Sequence, residues 1–514
     1  MLRWIKGGRS DHPLDDAEAS SVLLEQVSGK DPIPALENIS AHLDAIKTAD
    51  NLRPARAYEI VDLLDRTGRP LQRRLNQEYV VEGQRLTRFQ QARVWSSLYN
   101  YWTQLAEGYR FCLAKYEVGA VGAAALKPQL ARITCRGLRA CTGQLKWTLL
   151  RYGPVERRVW QDIGALYLLA ETMQFASVRL GVYRGAKGES SAEREFVHAL
   201  MLAMSSADGL LPQQIDIADR LIVHLLEYFR VARSSSKGLH WVFDLSGERP
   251  PGRPLGDSAS KLGSRYFGPG EATTQLDRFA HALRAREALP AEVSLGSSSG
   301  SALIQATVQH LQRYWAPRPP ERKDRRRRHL ERISVVHEFE EVVANVGGLF
   351  LESPFVSNDE EWIVENESES GFGAVVPQPN GSWLKVGDLI GVRREDGVAW
   401  GAGIVRRVTV DDKGIRNVGI QMLASGGAAV TVLSTTPGNR DTSVAADGEV
   451  CVLLPSGNLQ TGEATLLMRA GLFSTSQDLL MRAYDRQYHL FPLSLTERGK
   501  EFDIGRYRIL EQVQ

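Results

Sequence analysis

Two short stretches in the last third of the chain carry side chains that could hold a phosphorylated base. The first is Arg327-Arg328-His329-Leu330-Glu331-Arg332, at the end of a segment, 321–332, with seven basic side chains in twelve positions. A guanidinium is a flat fork. It takes two phosphate oxygens at once, meets the O6 and N7 acceptors of guanine, and stacks on a base face. Lysine would supply the charge alone. The second stretch, Asn366-Glu367-Ser368-Glu369-Ser370-Gly371, begins 34 residues after Arg332. Asn366 offers an amide donor and a carbonyl acceptor. Ser368, two residues on, puts its hydroxyl on the same side of an extended segment. Gly371 tolerates positive φ and lets a ligand approach the backbone.

These residues need a β scaffold, and the local sequence supplies one. From about residue 328 the apolar period is near 2. The segment 333–343 is β-rich, and Trp362-Ile363-Val364, Gly373-Ala374-Val375-Val376, Leu389-Ile390-Gly391-Val392, the segment 403–410 and Asn417-Val418-Gly419-Ile420-Gln421-Met422 read as strands. Pro379-Asn380-Gly381, Glu395-Asp396-Gly397 and Asp412-Lys413-Gly414 mark turns between them. Many short strands at this spacing predict a barrel or sandwich. Residues 425–514 continue as strands and predict a second small barrel or a β-rich extension of the first.

The other half has a helical period. Leu36, Ile39, Leu43 and Ile46 share one face, as do Leu98, Trp102, Leu105, Tyr109 and Cys112, and Ile215, Ala218, Ile222, Leu225 and Phe229. Breaks are expected at Thr67-Gly68-Arg69-Pro70, Tyr152-Gly153-Pro154 and Leu211-Pro212. The aromatic stripe Trp95, Tyr99, Tyr101, Trp102 and Tyr109 reads as helix packing. Residues 234–300 look looser, with a helix through Leu276, Phe279 and Leu283 and another over 302–314. The expected organisation is a flexible N-terminus (1–30), an all-α bundle or solenoid (31–315), a Pro/Arg-rich linker (316–327) opening on Ala316-Pro317-Arg318-Pro319-Pro320, a β-barrel (328–424) and the β-rich remainder. The fold class is multidomain α + β.

Composition excludes several function classes. The net charge of the 514 residues is +2, so the molecule as a whole has no bulk attraction for polyanions. Cys112, Cys135, Cys141 and Cys451 form no C-x-x-C pair and lie near no histidine cluster, so neither zinc nor another metal is expected. Few thiols, no secretory leader and no apolar run of about 18 residues predict a cytoplasmic location. The nucleotide-binding, hydrolase and metalloprotease motifs are missing, and no catalytic residues or cofactors are assigned.

In order and context, the two polar stretches resemble the paired motifs of the PilZ domain family, small β-barrels that bind cyclic di-GMP. Arg328 and Arg332 match the family's R-x-x-x-R, Arg327 its doubled arginine, and Asn366, Ser368 and Gly371 its D/N-x-S-x-x-G; Val418-Gly419-Ile420-Gln421-Met422 is similar to the closing strand. Arg322 and Arg326 give a second register for the arginine motif. The resemblance covers about 321–424, with a gap long for the family and an insertion expected around 353–360. It implies an arginine loop just before a first strand opening at Ile333, with cyclic di-GMP held by Arg327, Arg328, Arg332, Asn366, Ser368 and Gly371. The expected function is a bacterial, non-enzymatic cyclic di-GMP receptor that signals through its helical half to a protein partner. The alternatives are a PilZ-like adaptor that binds no nucleotide, and nucleic-acid binding through the basic linker; against the latter, no aromatic interleaves the run, and Glu321, Asp324 and Glu331 dilute it.

Overall fold

The structure is a computed structural model that describes residues 10–16, 31–81, 86–183, 185, 188–254, 263–287, 300–318, 327–349, 359–377, 383–434, 448–455, 462–483 and 486–513. The chain divides into two compact units, Met1–Pro320 and Glu321–Gln514. All of the 319–326 junction with the alternative pair Arg322 and Arg326, the turn at 379–381 and most of the expected insertion lie outside the described residues.

The first unit is mainly helical: α1 (Pro32–Thr48), α2 (Pro54–Val81), α3 (Arg88–Glu117), α4 (Leu130–Leu149), α5 (Arg157–Thr172), α6 (Ala192–Ala203), α7 (Pro212–His224), α8 (Ala272–Arg284) and α9 (Ser301–Tyr314). Local chemistry starts several of them. Asp31 caps α1, Thr87 and Gln90 form a capping box on α3, and Pro212 opens α7. The face Leu36, Ile39, Leu43 and Ile46 is buried. The expected break at Thr67-Gly68-Arg69-Pro70 does not occur. Helix α2 runs through Pro70, and Gly68 leaves room for the Tyr101 ring, which a Cβ there would meet at 2.6 Å. Residues 10–16, expected within a flexible N-terminus, are held: Leu14 is buried, His12 bonds the His42 carbonyl at 3.0 Å, and Arg56 donates to the Leu14 carbonyl at 2.8 Å.

Part of the aromatic stripe encloses a buried carboxylate. Asp65 accepts from Tyr109 at 2.6 Å and from Tyr183 at 3.1 Å, with Arg136 at 3.8 Å. Burial raises its carboxyl above the ordinary value, against the opposing pull of Arg136 and the tyrosine bonds. This network ties α2, α3 and α4 to the segment that follows α5. At the start of the looser region and within it lies a small antiparallel sheet that the sequence did not announce: β1 (Arg230–Ala232), just before it, with β2 (Trp241–Asp244) and β3 (Ser264–Gly268), in the order β1-β3-β2.

The second unit contains two closed antiparallel barrels of six strands each. The first is built from β4 (Arg327–Val336), β5 (Glu360–Ser368), β6 (Gly371–Val376), β7 (Leu389–Arg394), β8 (Gly401–Val410) and β9 (Arg416–Ala424). The second is built from β10 (Ala428–Ser434), β11 (Glu449–Leu454), β12 (Glu463–Arg469), β13 (Leu479–Ala483), β14 (Arg486–Arg498) and β15 (Phe502–Val513). Their orders, β4-β5-β6-β9-β8-β7 and β10-β11-β12-β15-β14-β13, are the same path: first, second, third, sixth, fifth, fourth, with the fourth strand closing on the first.

Between β4 and β5 the chain forms a helix, α10 (Phe339–Val346), where Phe339 to Val343 had been expected to prolong a strand. Phe339, Val342, Val343 and Val346 step by 3, 1 and 3, and all four are buried. They share one apolar cluster with Val336, Leu389, Trp400, Ala402 and Ile404 of the first barrel and with Val452, Leu454, Leu467, Phe502 and Ile504 of the second. The helix thus lies in the long gap between the two motifs, taking up 8 residues of it, and joins the barrels.

Candidate functional site

The two motif stretches are neighbouring antiparallel strands. In the β4–β5 register Arg327 lies opposite Glu367, Arg328 opposite Asn366 and Arg332 opposite Ile363. The arginines therefore do not sit on a loop ahead of a strand opening at Ile333. The strand already begins at Arg327, and an irregularity between Arg328 and Glu331 lifts His329 and Leu330 out of the ladder. Leu330 is 80% exposed there.

Because successive strand residues face opposite ways, the doubled arginine splits. Arg328 shares the side of Asn366. Arg327 shares the side of Glu367, where Arg394 of β7 reaches Glu331 at 2.8 Å and also bonds Glu367. Arg327, Arg328 and Arg332 are all exposed, and Arg332 approaches Glu361 at 3.6 Å. Arg394 was not singled out in the sequence. Its partners lie 27 and 63 residues away, so nothing local marks it.

The second motif forms the β5–β6 turn, with Ser368 paired to Gly371. The Ser368 hydroxyl donates to the Gly371 carbonyl at 2.9 Å and closes the turn. Gly371 has φ 158°, nearly extended, so it is not used as a left-handed hinge. A side chain is excluded there because its Cβ would run into the Ile420 carbonyl on β9. The Asn366 amide lies over Gly373: a Cβ on that glycine would be 2.8 Å from Oδ1 and 3.0 Å from Nδ2. Asn366 Oδ1 is buried and accepts no hydrogen bond among the described residues. An unpaired buried acceptor costs about 1–3 kcal/mol.

The arrangement can present guanidinium groups, an amide and nearly bare backbone on one stretch of barrel wall. In the turn before β7 of the same barrel, burial pushes the Asp388 carboxyl up to about 7, against the Lys385 backbone N–H, which donates to it at 2.7 Å. Among the described residues no group of three or more His, Cys, Asp or Glu could hold a metal ion, and no helix is long and apolar enough to cross a membrane. Cys112, Cys135, Cys141 and Cys451 are free and buried.

A family model described as "Cyclic-di-GMP receptor FimW, N-terminal domain" matches residues 18–235, within the helical unit. No curated protein matches the chain.

Proposed function

We propose that this chain is a cytoplasmic, non-enzymatic receptor for cyclic di-GMP. On this reading the first barrel of the second unit is PilZ-like and binds the dinucleotide through Arg327, Arg328, Arg332, Asn366, Ser368 and Gly371. Two independent features support it. The family matched in the helical unit is described as a cyclic di-GMP receptor, and the motifs on which the ligand was inferred lie in the other unit. The observation that carries the site is the register of β4 on β5, which sets Arg328 directly across from Asn366. A guanidinium for phosphate or the guanine Hoogsteen edge then stands beside an amide that can serve base or ribose.

The helical unit is the output surface, and its partner is a protein. Arg327 is the first residue of β4, and residues 319–326 lead into it from the helical unit. A ligand gripping Arg328, one residue after Arg327, therefore acts beside the interunit segment, which new charge-assisted contacts can bias. Solution scattering with and without cyclic di-GMP tests this coupling; superimposable profiles at saturation would remove it.

For binding, calorimetric titration of Arg328→Ala and Ser368→Ala against wild type decides. Both variants should keep the fold and lose affinity for cyclic di-GMP, with GTP giving no comparable heat. Wild-type affinity in both would end the site assignment. A second reading, an adaptor barrel that binds no nucleotide, draws on Ser368 being satisfied within its own turn. It predicts no saturable heat from the wild-type protein.

A further inference from the structure

One row of residues crosses four strands of the first barrel: Asn366 on β5 lies opposite Gly373 on β6, Gly373 opposite Gly419 on β9, and Gly419 opposite Arg407 on β8. Residues directly opposite in an antiparallel ladder share a face, so all four look the same way. The two central positions carry no side chain. Asn366 has laid its amide over Gly373, and its Oδ1 has no partner among the described residues. Gly419 is half-exposed, Arg407 is exposed, and a Cβ on Gly419 would stand 3.3 Å from the Arg407 Cβ. The result is a floor of backbone with the Asn366 amide at one side and the stem of Arg407 at the other, about 14 Å from end to end at ~4.8 Å per strand.

Glycine weakens a strand interior and often marks a bulge or a place where another group approaches the backbone; Gly419 lies at the register shift between Val405 and Arg407. At Gly373 the close neighbour is the Asn366 amide. At Gly419 a Cβ would meet only the Arg407 Cβ, in a contact tight but short of collision. The chemistry at the two sides suits one ligand part. Guanine presents O6 and N7 acceptors on one edge and N1–H and N2–H donors on another. A guanidinium serves the first edge bidentately, and the Asn366 carbonyl oxygen, which has no donor among the described residues, serves the second once the amide turns off Gly373.

We infer that Gly419 is the floor of a guanine subsite, with the Asn366 amide on one side and Arg407 as a base-selecting residue on the other. This rests on the receptor reading above and adds to it Gly373, Gly419 and Arg407, which lie outside the two motifs. Adenine, with an amino donor at the O6 position and no N1–H, mismatches both walls.

The test is titration of the full-length protein with cyclic di-GMP and with cyclic di-AMP, paired with thermal melts. Arg407→Ala should weaken cyclic di-GMP roughly tenfold or more and shrink the preference over cyclic di-AMP, whereas Arg407→Lys, which keeps charge and loses the fork, should fall between. Gly419→Thr should weaken binding while melting no lower than wild type, since a β-branched residue favours the strand. Wild-type affinity and selectivity in Arg407→Ala and Gly419→Thr, with binding still lost in Arg328→Ala, would overturn this subsite and leave the receptor reading standing. Absence of any wild-type binding would remove both. Should Gly419→Thr fail to fold, Arg407→Ala decides by the same criterion.

Discussion

The two barrels of the second unit follow one strand path and differ in what their first two strands carry. In the first barrel, β4 and β5 set Arg327, Arg328 and Arg332 against Glu367, Asn366 and Ile363. At the matching place in the second, Ala428, Ala429 and Val430 stand opposite Leu453, Val452 and Cys451. An arginine-rich segment enters the first barrel, and Ser425-Gly426-Gly427 enters the second. Val452 and Leu454 then face α10 and the neighbouring barrel's core. One topology thus serves two ends. The first pair of strands is polar and exposed at its start, while the second is apolar and packs on α10.

The largest expected effect tests whether the second barrel is a packing partner. Phe502 is 2% exposed and belongs to the cluster shared by both barrels and α10. Phe502→Ala should cost about 3–5 kcal/mol, a typical loss for deleting a buried aromatic ring. Thermal or denaturant unfolding should show both barrels losing stability together. A second barrel that melts alone, leaving ligand binding intact, would show that the two barrels do not stabilise each other.

Next is the ligand contrast. Arg328→Ala should weaken cyclic di-GMP binding by about a hundredfold, or ~2.7 kcal/mol, as expected for a charge-assisted contact that is not replaced. Arg506→Ala, on the outer face of β15 in the second barrel and paired there with Glu463, should leave affinity unchanged. Parallel titrations of the two variants check this directly.

A pH difference comes third. Asp388 of the first barrel holds its proton to about pH 7 through burial, whereas in the unfolded chain it ionises near the ordinary carboxylate value. Its contribution to stability is therefore fully present at pH below about 4 and is lost as pH rises to about 7. Asp388→Asn keeps an acceptor for the Lys385 N–H and removes the titration. The melting temperature of the variant relative to wild type should rise between pH 4 and 7 and then level off; a constant difference across that range would refute the assignment.

The smallest effect concerns Arg394, whose pairs with Glu331 and Glu367 are half-exposed. Arg394→Ala should change stability by less than about 1 kcal/mol. It should still weaken cyclic di-GMP several-fold at low salt, because two carboxylates are left beside the arginines without their cation. High salt should shrink the difference.

The pattern of what was legible in sequence follows from range. Strands β5 to β9 were visible because turn chemistry such as Glu395-Asp396-Gly397 and Asp412-Lys413-Gly414 punctuates apolar alternation. The start of β4 was hidden because Arg327 to Leu330 are all exposed, so no alternation marks them as strand. Helix α10 was masked for a different reason. Phe339, Val342, Val343 and Val346 have a helical period, but the apolar run of β4 leads straight into it. The sheet β1-β3-β2 is built from strands of three to five residues amid glycine and proline, too short to show a period.

The motif residues themselves were legible, being local clusters of unusual type. Their surroundings were not. Glu367 beside Arg394 and Gly419 beside Arg407 are cross-strand relations set by barrel closure. The same holds for α2 passing through Pro70, where the Tyr101 ring, more than thirty residues on, packs at Gly68.

Whether the first barrel binds cyclic di-GMP is decided by a calorimetric titration of the intact wild-type protein with that ligand. A saturable heat is expected, with a dissociation constant in the micromolar range or tighter and no comparable signal from GTP. No heat, or equal heats from both nucleotides, would contradict it.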